Sequence, residues 1–523
     1  MRASLRLAVL LSVTAAFSSP PIARGGPPER TVTRADLAAA YLRFERVWRS
    51  NPPPKSDIAG ANRSFDRASF LFFGRNYAAA VQEIDALTAL MLPESARSPE
   101  ARLATSLKVV IEPQTYIIGS TTAPVARVYS MYLVESPPTA DVVLTLRLRH
   151  RADQKATDVP FTVVPAATQR VDVSVPLGNP ASHLTVGLYD VIIATTDGVE
   201  VPVRKLAVVE GSLDVLRKAN EVELAKIRAT TPARKQALAA CRARNRLLTD
   251  TPSEDNSAQF LADPAALVPQ IAAEIDALRN GKNPYSRRVG DTWRVFLSGD
   301  DEIPVRVYAP ADAKNDTPIP LVIVLHGAGG DENMFLDGYG AGRVKELADQ
   351  HGFLVASPLT YPFLRSSKVF DRLVRAMAYD YPVDRDRVYV LGHSMGAAAA
   401  ARLARSRNKS AAAVCCLCGG GSFARANSLA PTLIIGAELD PMASAAGLEI
   451  MVKAAAAAGL PVEFRCIANY GHTLVVGEAL PDAIDWLLKH HRGATTRPSR
   501  QPEATTRTSE SPAVQTKSSA DGG

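Results

Sequence analysis

The stretch VYVLGHSMGAAAAARLA, Val388 to Ala404, constrains this chain more than any other, because one serine between two glycines joins an apolar run to an alanine-rich one. The apolar run reads as a buried strand and the alanine run as a helix, so the turn between them is sharp. Residues two before and two after Ser394 must be small for such a turn to close, and they are Gly392 and Gly396. The alanines that follow let the helix pack close to a sheet and aim its positive end at the serine. A bare Gly-x-Ser-x-Gly match arises by chance. A strand before it and a helix after it make it read as the turn of an exposed nucleophile instead of a structural bend.

The surroundings suit that reading. From about Pro284 to Arg492, PLVIVLHGAGG, FLVASP, VYVLGHSMG, AAVCCLCGG, PTLIIGAELD and VEFRCIANYGH read as strands, while GRVKELADQHG, FDRLVRAMAYD and MASAAGLEIMVKAAAAAG read as helices between them. Continuous apolar strands between amphipathic helices predict an α/β fold: a mostly parallel sheet with helices on both faces and functional loops at the carboxyl ends of its strands.

A serine is a poor nucleophile alone and needs a base and an orienting carboxylate. His472 follows the strand VEFRCIANY; of the eight histidines only His490 and His491 lie further on, at the end of a terminal helix. His326, His351 and His393 precede the serine, whereas the order serine, acid, histidine belongs to this architecture. His326 reads as shaping a loop, and His393 as a turn residue facing away from the pocket or lining it. LIIGAELDPM offers Asp440 just past a buried strand, to accept the Nδ1 proton of His472, with Glu438 as the alternative acid. LHGAGG, with His326, Gly327 and Gly329, places backbone amides at a strand end, so the amides of Ala328 and Met395 are the expected oxyanion donors. A phosphate cradle is the poorer reading of these glycines, since no GK[ST] follows.

HGAGGDENMF, GHSMGA, the late Asp440 and YGH together resemble the α/β-hydrolase superfamily. Within it they are most similar to exported esterases of the polyhydroxybutyrate-depolymerase and feruloyl-esterase type and to the catalytic domain of prolyl-oligopeptidase-like enzymes. The resemblance implies a serine hydrolase that cleaves carboxylic esters through an acyl enzyme, with no metal or organic cofactor. A serine peptidase and a catalytically inactive binding module are the alternatives. GSFARANSLAP, Gly421 to Pro431, leaves no room for the helical lid many lipases insert there, so an open site admitting bulky or polymeric esters is expected. Tyr361, Phe363 and Leu364 are candidates either for its lining or for the core.

The resemblance says nothing about Met1 to Lys282. Arg2 and Arg6, the apolar run Leu7 to Phe17 and SSPPIARGG have the layout of a secretory signal, so residues 1–23 are expected to be removed and the protein to be secreted or periplasmic, with no membrane insertion afterwards. Residues 30–106 read as a helical module: Thr33 is a candidate cap with Asp36 three residues on, Leu37, Tyr41, Phe44 and Trp48 follow at helical spacing, and a second helical pattern runs from Phe65 to Leu87. Residues 107–210 switch to period two, as in DVVLTLRLRH, and read as a β-sandwich-like domain. Residues 211–283 read as a helical linker module ending at Asn280-Gly281. Residues 284–492 form the catalytic domain, and 493–523, with no large apolar residue but Val514, a disordered tail. These N-terminal regions are candidates for contact with a wall polymer or partner.

The net charge of +7 is scattered, with no basic stripe interleaved with aromatics, which argues against nucleic acid. Of the five cysteines three crowd into VCCLCGG with no second ligand cluster, so buried free thiols are expected and neither disulfides nor a metal site.

Overall fold

Alternation along a buried strand decides which face each side chain meets, and β11 (Ile319–Leu325) shows it in a computed structural model that describes residues 31–164, 170–253, 263–423 and 426–492. All seven residues of β11 are buried. Leu321, Ile323 and Leu325 enter one apolar core, while Val322 and Val324 enter another on the opposite face. A strand buried on both sides cannot alternate with polar residues, which is why IPLVIVL is unbroken. The expected signal, residues 1–23, and tail, residues 493–523, lie outside the described residues.

The sheet's other strands are β9 (Gly290–Ser298), β10 (Asp301–Ala309), β12 (Leu354–Pro358), β13 (Val383–His393), β14 (Ala413–Leu417), β15 (Thr432–Ala437) and β16 (Val462–Ile467). The eight lie in the order β16-β15-β14-β13-β11-β12-β10-β9. β11 to β16 pair in parallel, and β10 and β9 add an antiparallel edge.

Ahead of this sheet lie α1 (Arg34–Ser50), α2 (Ile58–Phe73), α3 (Tyr77–Met91) and α4 (Pro99–Thr105). Thr33 caps α1 in a reciprocal box with Asp36. The pattern from Phe65 to Leu87 resolves into two helices: Arg75 turns left-handed at φ +60°, and the Asn76 side chain caps α3 by accepting from the Ala79 amide. Phe44 packs between Trp48 and Phe65, at ring separations of 5.6 and 5.1 Å.

The eight earlier strands, β1 (Leu107–Glu112), β2 (Thr115–Ile117), β3 (Val125–Ser130), β4 (Val142–His150), β5 (Ala156–Val163), β6 (Asp172–Pro176), β7 (Gly187–Ala194) and β8 (Glu200–Val209), form a three-stranded and a five-stranded sheet around one core. In the strand Val142–His150, Val142, Leu144, Leu146 and Leu148 point into that core and Val143 is exposed, the period-two pattern of the sequence. Helices α5 (Leu213–Ala225), α6 (Pro232–Asn245) and α7 (Pro264–Arg279) pack together around Cys241, Leu248 and Ile271.

Within the large sheet, α8 (Arg343–His351) and α12 (Val475–Leu488) cover one face, and α9 (Lys368–Asp380), α10 (Met395–Ser406) and α11 (Ala445–Ala457) the other. All five cysteines are free; Cys241, Cys415, Cys416 and Cys418 are buried and Cys466 is exposed. No helix among the described residues is long and apolar enough to cross a membrane.

Candidate active site

β13 lies between β11 and β14, so its carboxyl end opens at the middle of the parallel strands, and α10 starts two residues later. Ser394 bridges them at φ +54° and ψ −115°, a region a serine enters only when the surroundings force it. Its amide donates to the Leu417 carbonyl at 2.9 Å. A Cβ on Gly392 would sit 2.2 Å from the Gly396 carbonyl oxygen, and one on Gly396 would sit 2.0 Å from that of Leu325. Both glycines are therefore required by close backbone approach.

Loops after β15 and β16 bring Asp440 and His472 to the same rim. His472 Nε2 lies 2.9 Å from Ser394 Oγ, and Nδ1 lies 2.8 Å from Asp440 Oδ2. Because a carboxylate only accepts, Nδ1 carries the proton and the Nε2 lone pair faces the serine hydroxyl. The amides of Met442 and Ala443 donate to Asp440 Oδ1 at 2.8 and 2.9 Å, fixing the carboxylate. Burial opposes charge on Asp440, but the hydrogen bond and charge of His472 and these two amides prevail and hold its carboxyl below the ordinary range. Glu438 takes no part: it is exposed and accepts from the Asn469 amide at 2.8 Å.

The other histidines of the region are braces. His326 donates through Nδ1 to the Gly327 carbonyl at 2.8 Å and accepts at Nε2 from the Thr360 amide at 3.0 Å, which ties the 327–331 loop to the end of β12. His393 donates through Nε2 to the His472 carbonyl at 2.9 Å and accepts at Nδ1 from the Tyr339 hydroxyl at 2.8 Å. Burial pushes both down, His326 to about 4 and His393 to about 3, so both stay neutral in these roles. His393 thus neither faces away nor only lines the pocket; it holds the loop that carries His472. His351 lies at the end of α8, near Asp485.

Gly327 passes close enough to Ser394 that a Cβ there would lie 3.3 Å from the serine Cβ. The next residue, Ala328, lines the same pocket as Ser394. Met395 opens α10, where first-turn amides have no intrahelical acceptor. Among the described residues neither the Ala328 nor the Met395 amide has a protein acceptor. Gly329, at φ +76°, donates its amide to the Tyr361 hydroxyl at 3.2 Å. Tyr361 therefore supports the loop, while Phe363 is fully buried in the core and Leu364 packs against it.

The site is not made by the large sheet alone. On α2, Asn62 Oδ1 accepts from the Gly471 amide at 2.8 Å, and the Asp66 carboxylate accepts from the His472 amide at 3.2 and 3.3 Å. Burial raises Asp66 to about 6, against the pull of the His472 amide and ring. On α1, Arg34, Tyr41, Glu45 and Arg49 fall on one helical stripe facing the other side of the site. Arg34 donates to the Gly329 carbonyl, Tyr41 packs on Gly338, the Gly340 amide donates to Glu45 at 3.1 Å and Arg49 donates to the Gly340 carbonyl at 3.1 Å.

No family model and no curated protein matches this sequence. Solved structures to which the chain is similar include a thermostable esterase, at 16% identity over 74% of this chain and 100% of that one, with a TM-score of 0.35. An S-formylglutathione hydrolase from Agrobacterium tumefaciens is 16% identical over 39% of this chain and 96% of its own, with a TM-score of 0.33. The feruloyl esterase module from Clostridium thermocellum is 14% identical over 39% of this chain and 88% of its own, with a TM-score of 0.33.

Asn62 and Asp66 belong to no motif, and two polar residues four apart beside the apolar Phe65 and Ala68 become a signal only once their burial is known. They sit four apart on a helix whose neighbours Phe65 and Ala68 are buried, and both are themselves buried, at 1% and 4% exposure. A buried polar pair on an apolar helix face must have partners elsewhere in the chain. Cys418, at φ +47°, brings its sulfur into a group with Asp440 and His472 whose ligand atoms lie within 4.8 Å of one another. Asp440 and His472 already bond each other in that group, and burial pushes the Cys418 thiol up, which keeps it protonated.

Proposed function

We propose that the protein is an exported serine hydrolase of the α/β-hydrolase type that cleaves carboxylic esters, with Ser394 as nucleophile, His472 as base and Asp440 as orienting acid. The observation that carries this reading is the unbroken relay from Ser394 Oγ through the imidazole to Asp440, at 2.9 and 2.8 Å. Placement of the serine on a strand–helix turn, with acid and histidine following in that chain order, supports it.

In this mechanism His472 Nε2 takes the hydroxyl proton as Ser394 Oγ attacks the ester carbonyl. The oxyanion is met by the amides of Ala328 and Met395, each such donor being worth about 3 to 4 kcal/mol of barrier. The imidazolium, steadied by ionised Asp440, then passes its proton to the departing alcohol. Water enters by the same route in reverse and releases the acid. Export rests on the signal pattern of residues 1–23.

Labelling of the folded protein by a fluorophosphonate probe tests the nucleophile, with Ser394→Ala as control. Parallel rates on aryl esters and chromogenic peptides test the substrate class. Ester turnover that disappears in Ser394→Ala is expected. Efficient peptide cleavage with negligible ester turnover would replace the esterase by a peptidase, and no labelling at Ser394 would favour a binding module.

A further inference from the structure

A cavity of about 180 Å³ opens at Ser394, and much of its wall comes from outside the large sheet. One side is the 327–331 loop with Met334; the other is built by Leu37 and Tyr41 of α1 and Phe65, Ser69 and Phe72 of α2. Phe72 lies directly over the loop, where a Cβ on Gly329 would come within 2.4 Å of its ring. Phe73 lines the same cavity and is 51% exposed, so apolar surface continues outward from it.

We infer that this cavity is the acyl site of the esterase proposed above, and that its α1–α2 wall restricts the acyl group to a compact apolar one, about the size of a benzene ring: a short aliphatic chain or an aromatic acid. Three observations carry this. The cavity is lined by Ser394 itself and by residues 327–331 of the oxyanion loop, so the acyl group that an acyl enzyme carries on Ser394 Oγ lies within it. Its wall is mostly apolar, and the guanidinium of Arg34 at its rim already donates to the Gly329 carbonyl, so a charged or heavily hydroxylated acyl group would be desolvated with few partners. Its volume is near that of an apolar cavity of about 150 Å³ that accommodates benzene and below the several hundred Å³ of pockets for larger ligands. The open site for bulky or polymeric esters expected from the missing lid is thereby narrowed on its acyl side: helices from the N-terminal end of the chain do the covering.

The inference rests on the esterase reading, and one experiment separates the two. Full-length protein is assayed on p-nitrophenyl acetate, butyrate, hexanoate, dodecanoate and benzoate, which share one leaving group. Ser69→Phe, which fills the cavity, and Phe72→Ala, which widens it, are compared after thermal melts show that both fold. For the wild type, kcat/KM should be highest for butyrate, hexanoate or benzoate. The ratio of hexanoate to acetate should fall about tenfold in Ser69→Phe, and that of dodecanoate to hexanoate should rise about tenfold in Phe72→Ala, the scale on which apolar pockets discriminate methylenes. Folded variants with the wild-type chain-length profile overturn the acyl-site assignment while leaving the esterase intact. A wild type that prefers dodecanoate also overturns it, and one that turns over none of the esters and does not label at Ser394 removes both readings.

Discussion

The turn at Ser394 and the α2 stripe of Asn62 and Asp66 support the proposed relay through opposite kinds of structure. At the turn, everything required lies within a few residues: a strand, a strained serine at φ +54°, two glycines and a helix start. At α2, two side chains reach a loop some four hundred positions away and hold the backbone of Gly471 and His472. Local geometry of the first kind tolerates no substitution, because the clash is with backbone. Long-range support of the second kind is graded, since each hydrogen bond can be lost alone.

The sharpest way to break that contrast is to disturb each side in turn. Gly396→Ala should reduce ester kcat/KM at least a thousandfold and lower the melting temperature, because the new Cβ would sit 2.0 Å from the Leu325 carbonyl oxygen and must push the turn open. Steady-state kinetics and thermal melts check this. Near-normal activity would show that the turn has slack the geometry denies it.

A smaller effect belongs to α2. Asn62→Ala and Asp66→Ala should each lower kcat about 10- to 100-fold with KM nearly unchanged, since the positioning of the imidazole suffers and the acyl cavity does not. Asp66→Asn, which keeps an acceptor for the His472 amide, should recover most of the loss. Equal losses in Asp66→Ala and Asp66→Asn would mean that the carboxylate acts through its charge, and unchanged kcat in all three would make the contact merely structural.

That same contrast explains what could be read from the residues. The strand–turn–helix at Ser394 was legible because its requirements are contiguous, and Asp440 and His472 could be named as its partners because chain order restricts the choice in this architecture. The sequence favoured Asp440 with Glu438 as the alternative, and the structure separates the two: the chain leaves β15 and turns, sending Glu438 to the Asn469 amide and Asp440 to His472. Periodicity gave α1 its apolar residues but not their partner, so Leu37 and Tyr41 read as core positions while they also wall the cavity. His393 was ambiguous for the same reason, since its role is a bond to a backbone carbonyl 79 residues later.

The subtlest probe of the α1 contact is pH. Glu45 is buried at 2% exposure, accepts from the Tyr41 hydroxyl at 2.7 Å and the Gly340 amide at 3.1 Å, and is raised by burial from 4.5 to about 7 in spite of both bonds. A carboxyl whose folded value lies above its unfolded one favours the folded state fully below about 4.5 and loses that contribution as pH climbs through 7. Glu45→Gln has no such titration. The stability of the variant relative to wild type should therefore rise between pH 4.5 and 7 and level off above, by at most about 3.5 kcal/mol at roughly 1.4 kcal/mol per unit. Asp66 adds a trend of the same sign that ends near pH 6, but it is present in both proteins and cancels from the difference. Denaturant melts across this range measure it. A difference that stays flat would mean that water reaches Glu45 in solution, and that α1 is held to the 338–340 loop by Tyr41 packing and the Arg49 bond without help from a neutral carboxyl.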